Sequence, residues 1–190
     1  MTRRLSLSFA LPLVLLASPA LAHVGYHSAM SFADGVLHPL NGVDHLLAAF
    51  AVGLWASLAG NRQPLVWPLT FVGVMTLAVI AGANGAAMPF MEVAIALSVA
   101  ALGALIVFAV RAPLAIGAVA IALFAAVHGY AHGVEGGASM PYLAGLVAMT
   151  AALHIAGYGF GYLTLRAGQP LLARVAGGAI AAAGVALLVV

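Results

Sequence analysis

Long apolar runs broken by brief polar or helix-breaking points organise this chain. The breaks fall at Asn61-Arg62-Gln63-Pro64, Asn84-Gly85, Arg111-Ala112-Pro113, Glu135-Gly136-Gly137 and Gly168-Gln169-Pro170. Between them lie the segments 39–59, 65–82, 89–110, 114–133, 141–165 and 171–190, each close to the ~20 residues that a helix needs to cross a bilayer. The pattern predicts an all-α integral membrane protein of six transmembrane helices with short turns and no soluble domain. Ahead of them stands a leader. Arg3-Arg4 forms a basic start, residues 5–17 an apolar stretch, and Ala20-Leu21-Ala22 a small-x-small cleavage pattern. Residues 1–22 therefore read as a signal peptide, and the mature chain, 23–190, as a single membrane domain that begins at His23.

Composition agrees. Hydrophobic residues make up 65% of the 190 residues and charged residues 5%, against about 25% charged in a soluble domain. Such a chain has no polar shell to offer water. The six basic residues are all arginine and too scattered for a nucleic-acid surface. Without cysteine there are no disulfides, thiolate metal sites or cysteine nucleophiles. Removal of the leader would place the new amino terminus on the periplasmic side of a bacterial inner membrane. The turns holding Arg62, Arg111, Arg166 and nearby Arg174 then face the cytoplasm, as the excess of basic residues on that side requires.

The few remaining polar groups cluster. His38, Asp44 and His45 head the first span; His128, His132 and Glu135 close the fourth, sharing one helical face by their spacing of four and three. From the helix rise, Asp44 and His45 lie roughly 8–10 Å below His38, and His128 about 10 Å below Glu135. Both sets thus reach the same depth from the same side, and Glu92 at the outer start of the third span joins their level. Ionisable groups at membrane depth are costly and mark a pathway or site. Imidazole with carboxylate suits divalent first-row metals such as nickel, cobalt, zinc or copper. His154, with Tyr158 one turn on, lies past the midplane and is the candidate inner relay. At the mature terminus the α-amine and imidazole of His23, with His27 nearby, form a candidate capture chelate.

No Gly-x-x-x-x-Gly-Lys loop, His-Glu-x-x-His pair or Gly-x-Ser-x-Gly elbow occurs, so nucleotide hydrolysis and the common intramembrane protease chemistries have no carrier here. The pattern reads as a permease rather than an enzyme. A membrane metal-binding accessory protein, or a haem-binding electron carrier with His45 and His128 as axial ligands, are the alternatives.

At these residues the chain resembles the HupE/UreJ family of membrane proteins, regarded as nickel or cobalt permeases associated with hydrogenases and ureases. Its first signature, His-Pro-x-x-Gly-x-Asp-His with a downstream glycine, is matched by His38, Pro39, Gly42, Asp44, His45 and Gly53. The second is matched by His128, Gly129, Ala131, His132, Gly133 and Glu135, and a weaker third by His154, Gly157 and Gly161. Two departures, Ala49 where many members carry methionine and Tyr130 where some carry histidine, lower ligand number or softness. The resemblance implies transport of nickel or cobalt, with no permanently bound cofactor. It also implies metallochaperones of hydrogenase or urease assembly, or a second copy of the chain, as partners.

Overall fold

A computed structural model describes residues 30–60, 62–85 and 88–189. The leader, its cleavage site, His23 and His27 lie outside them. Among the described residues the chain is all helical: α1 (Phe32–Asn41), α2 (Val43–Leu58), α3 (Val66–Ala83), α4 (Met91–Val107), α5 (Leu114–Gly136), α6 (Met140–Arg166) and α7 (Pro170–Ala186). Three of them, α3, α5 and α6, are long and apolar enough to cross a membrane, whereas α2, α4 and α7 are shorter apolar helices. Polarity is inverted relative to a water-soluble bundle. Leu69, Leu77, Val119, Leu123 and Ile155 point outward, while His45, Ser98, His128, His132, Thr150 and His154 are buried. This is the organisation of a multi-pass membrane protein.

The first predicted span differs from expectation. A capping box starts a helix at Phe32: Asp34 N–H donates to the Ser31 hydroxyl at 3.2 Å, and Ser31 N–H returns a 2.7 Å bond to the Asp34 carboxylate. His38 and Pro39, expected at the mouth of a span that begins at residue 39, therefore fall inside α1. The helix then stops, because Gly42 is extended (φ −92°, ψ 109°), and α2 restarts at Val43. One continuous helix through Asn41-Gly42 is thus replaced by two. Beside His38 at the same mouth, α5 runs to Gly136, so Glu135 is helical rather than in the turn.

Glycines set the pairing. A Cβ on Gly53 would collide with the carbonyl of His154, and one on Gly157 with that of Phe50, so α2 and α6 run backbone to backbone. Gly129 and Gly133 admit Met75 and Val79 of α3 in the same way, and Gly103 and Gly184 join α4 to α7. Small residues spaced by four do this between helices in lipid, where no hydrophobic force draws helices together. At one end the Trp55 and Trp67 rings stack at 4.3 Å, and their indole N–H groups donate to the carbonyls of Val110 and Leu114, both at 2.9 Å. Arg174 donates to the carbonyl of Val107 at 2.7 Å. The turns carrying Arg62, Arg111 and Arg166 therefore meet at this end, and the histidines of α1 and α5 open at the other.

Candidate metal site

The break at Gly42 shapes the site. A Cβ there would stand 2.9 Å from the Asp44 carboxylate and 3.0 Å from Nδ1 of His45, so a larger residue would press on both side chains. Asp44 Oδ1 accepts from the backbone N–H of His45 at 2.8 Å and lies 2.7 Å from its Nδ1. A carboxylate accepts, so Nδ1 carries the proton and Nε2 keeps its lone pair. That Nε2 is buried and has no partner. Asp44 is placed to fix the orientation and tautomer of His45, as carboxylates behind ligating histidines do.

His128 is fixed from the opposite side by a residue outside the sequence motifs. Ser98 Oγ lies 2.7 Å from the Ile95 carbonyl and 2.8 Å from Nε2 of His128. The hydroxyl has one hydrogen. Both contacts are satisfied when it donates to Ile95 and accepts from His128, which leaves Nδ1 of His128 with a lone pair. That Nδ1, like Nδ1 of His132, is buried without a partner. The arrangement also leaves the hydroxyl unavailable as a nucleophile activated by His128.

Toward the mouth, His38 Nε2 lies 2.9 Å from Glu135 Oε2, and His38, His132 and Glu135 each offer a ligand atom within 4.8 Å of the others. The ring of Tyr142, fully buried, supports His38 edge-on with centroids 5.8 Å apart. Successive imidazoles then step inward. Centroids lie 4.9 Å apart for His38 and His132, 4.1 Å for His132 and His45, and 5.0 Å for His45 and His128. Side-chain exposure falls from 41% at Glu135 and 23% at His38 to 7% at His45, and His128 is wholly interior.

Six of the expected residues thus converge: His38, Asp44, His45, His128, His132 and Glu135. Glu92 does not join them. It is exposed on the first turn of α4, within coulombic reach of Glu135 and Asp44 but outside the ligand cluster. His154 is buried and apart, beyond the ring of Phe71. The His45 and His128 rings cross at 86° with their centroids 5.0 Å apart.

The comparisons meet this geometry. The family model described as "HupE / UreJ protein" matches residues 11–187. The chain belongs to the HupE/UreJ family. Protein HupE of Rhizobium leguminosarum bv. viciae is 42% identical over 186 residues, covering 93% of this chain and 95% of that protein. No solved structure matches the chain. The HupE/UreJ signature residues can now be given physical reasons in this chain. Gly42 makes room for the Asp44–His45 pair, Gly53 and Gly157 lock α2 to α6, and Gly129 and Gly133 seat α3 beside His128 and His132.

Proposed function

We propose that this protein is a secondary permease for a divalent first-row metal, nickel or cobalt, carried from the periplasm into the cytoplasm for metalloenzyme assembly. The observation that carries the reading is the set of orphaned nitrogens. His45 Nε2, His128 Nδ1 and His132 Nδ1 are buried without partners in adjoining rings. Each buried polar atom left unpaired costs about 1–3 kcal/mol, and a metal ion is a partner that satisfies several lone pairs at once. The HupE/UreJ family is associated with nickel and cobalt transport accessory to hydrogenase and urease, which supports the choice of metal.

The transmembrane path consists of six spans, with α1 and α2 together forming the first. The histidine mouth faces the periplasm and the arginine-bearing turns the cytoplasm, as the distribution of basic residues favours. His38, His132 and Glu135 form the entry, and His45 and His128 the next station; Glu92 adds negative potential at the rim. His23 and His27 serve as the capture chelate once the leader is removed. Binding in such a path must be weak or multi-site enough to let the ion leave, and a ladder of closely spaced imidazoles meets that demand.

Radioactive nickel uptake into cells, with cobalt, zinc and copper as competitors, tests the reading. Uptake that cobalt suppresses and that His128→Ala abolishes supports it. Uptake equal to that of cells lacking the protein rejects it.

A further inference from the structure

Beyond His128 the row of imidazoles is interrupted by a hydrocarbon ring. Phe71 on α3 is 2% exposed, and its centroid lies 6.1 Å from that of His128 and 5.2 Å from that of His154, perpendicular to the latter. His154 on α6 is 3% exposed, and neither of its ring nitrogens has a partner. Its surroundings do not supply one. Thr150, one turn earlier on the same face, donates instead to Sδ of Met75 at 3.7 Å, and Met75 stands one turn from Phe71 on α3. The His154 backbone is pinned, since its carbonyl rests against Gly53. An imidazole on a fixed backbone, with two unsatisfied nitrogens, thus sits behind an aromatic ring that offers a metal ion neither oxygen nor nitrogen.

We propose that Phe71 is the barrier of the ion path, closing the His45–His128–His132 cluster off from His154, and that its displacement hands a divalent cation to His154. The proposal rests on the permease reading. From His38 to His128 an ion moves between rings in direct contact; from His128 onward the next imidazole lies behind Phe71. A hydrocarbon constriction excludes hydrated ions by dewetting, so the ring must move for each passage. Its size then sets the rate, while the ligands on the mouth side of it set affinity.

The test uses the purified full chain in proteoliposomes with nickel outside and a metal-sensitive dye inside, beside equilibrium nickel binding in detergent. Phe71→Ala raises downhill nickel flux about tenfold and Phe71→Trp lowers it about tenfold, with nickel affinity within about twofold of the unaltered protein in both. Phe71→Leu, which largely preserves core volume, gives an intermediate gain and guards against a folding defect in the alanine variant. His154→Ala added to Phe71→Ala removes the gain, because the cation then has no imidazole to receive it. Flux indifferent to ring size while still abolished by His128→Ala overturns the barrier and leaves the permease reading standing. Flux and affinity that fall together also overturn it, since Phe71 would then only support the site. No flux above empty vesicles for the unaltered protein rejects the permease reading, and the barrier with it.

Discussion

Ser98 offers a direct test of how the site is organised, because it touches the candidate ligands only through His128. Ser98→Ala removes the acceptor 2.8 Å from Nε2 of His128. Since Nδ1 is already unpartnered, both nitrogens of a ring that is only 1% exposed would then be orphaned. In the metal-free protein the added penalty is that of one more unpaired buried group, about 1–3 kcal/mol. In the metal-bound protein the ring loses the contact that fixes its tautomer and orientation. Loss of an outer-shell partner costs about 10–100-fold in affinity, equivalent to about 1.4–2.7 kcal/mol. Nickel titration of the detergent-purified protein, with thermal unfolding in the presence of a chelator, measures both quantities. Ser98→Thr, which retains the hydroxyl, recovers most of the affinity. Unchanged affinity and unchanged unfolding temperature for Ser98→Ala would refute the tautomer argument, and with it the assignment of the free lone pair to Nδ1.

Asp44→Asn preserves size but removes the carboxylate that orients His45 and offsets a cation, so nickel uptake falls by at least about tenfold; Arg111→Gln, at the opposite end, leaves uptake unaltered in the same cells. Nickel affinity weakens on acidification, because an imidazole binds metal only when neutral and protons compete with it. Equilibrium binding across a pH series checks this, and affinity that improves on acidification would exclude the histidines as ligands. Gly53→Ala forces α2 from the His154 carbonyl and destabilises by about 1–3 kcal/mol. Gly73→Ala, where an added Cβ meets nothing within 4 Å, gains up to about 1 kcal/mol from helix propensity; unfolding temperatures of the two variants distinguish them.

Much of the candidate site is legible along the chain because its residues sit at helical spacings. His128, His132 and Glu135 share a face by arithmetic, and the helix rise brings them level with Asp44 and His45. What escaped that arithmetic was anything depending on which helices adjoin. Ser98 meets His128 only because α4 lies against that side of the site, thirty residues away in sequence. Phe71 looks like any apolar residue of a span until α6 brings His154 against it. The break at Gly42 was hidden differently. Ser31 and Asp34 form a recognisable capping box, but its signal lies upstream of the apolar run that marks the span, and that run alone starts the helix at Pro39. Tyr142 gave no signal either; its role under His38 follows from α1 lying along α6, which Gly35 and Gly145 permit.

The glycine contacts have a mechanical consequence. Helices α2 and α6 are interlocked through their backbones, as are α3 and α5, so each pair resists internal shear. The candidate ligands are divided between these units: His38 and His45 belong to the α1–α2–α6 side, and His128, His132 and Glu135 to the α3–α5 side. An ion held by both sets would be a rivet across the seam, and protons on the imidazoles would loosen it. The same seam divides Phe71 from His154. Sliding one unit past the other would therefore pull the candidate ligands apart and shift Phe71 relative to His154 at the same time.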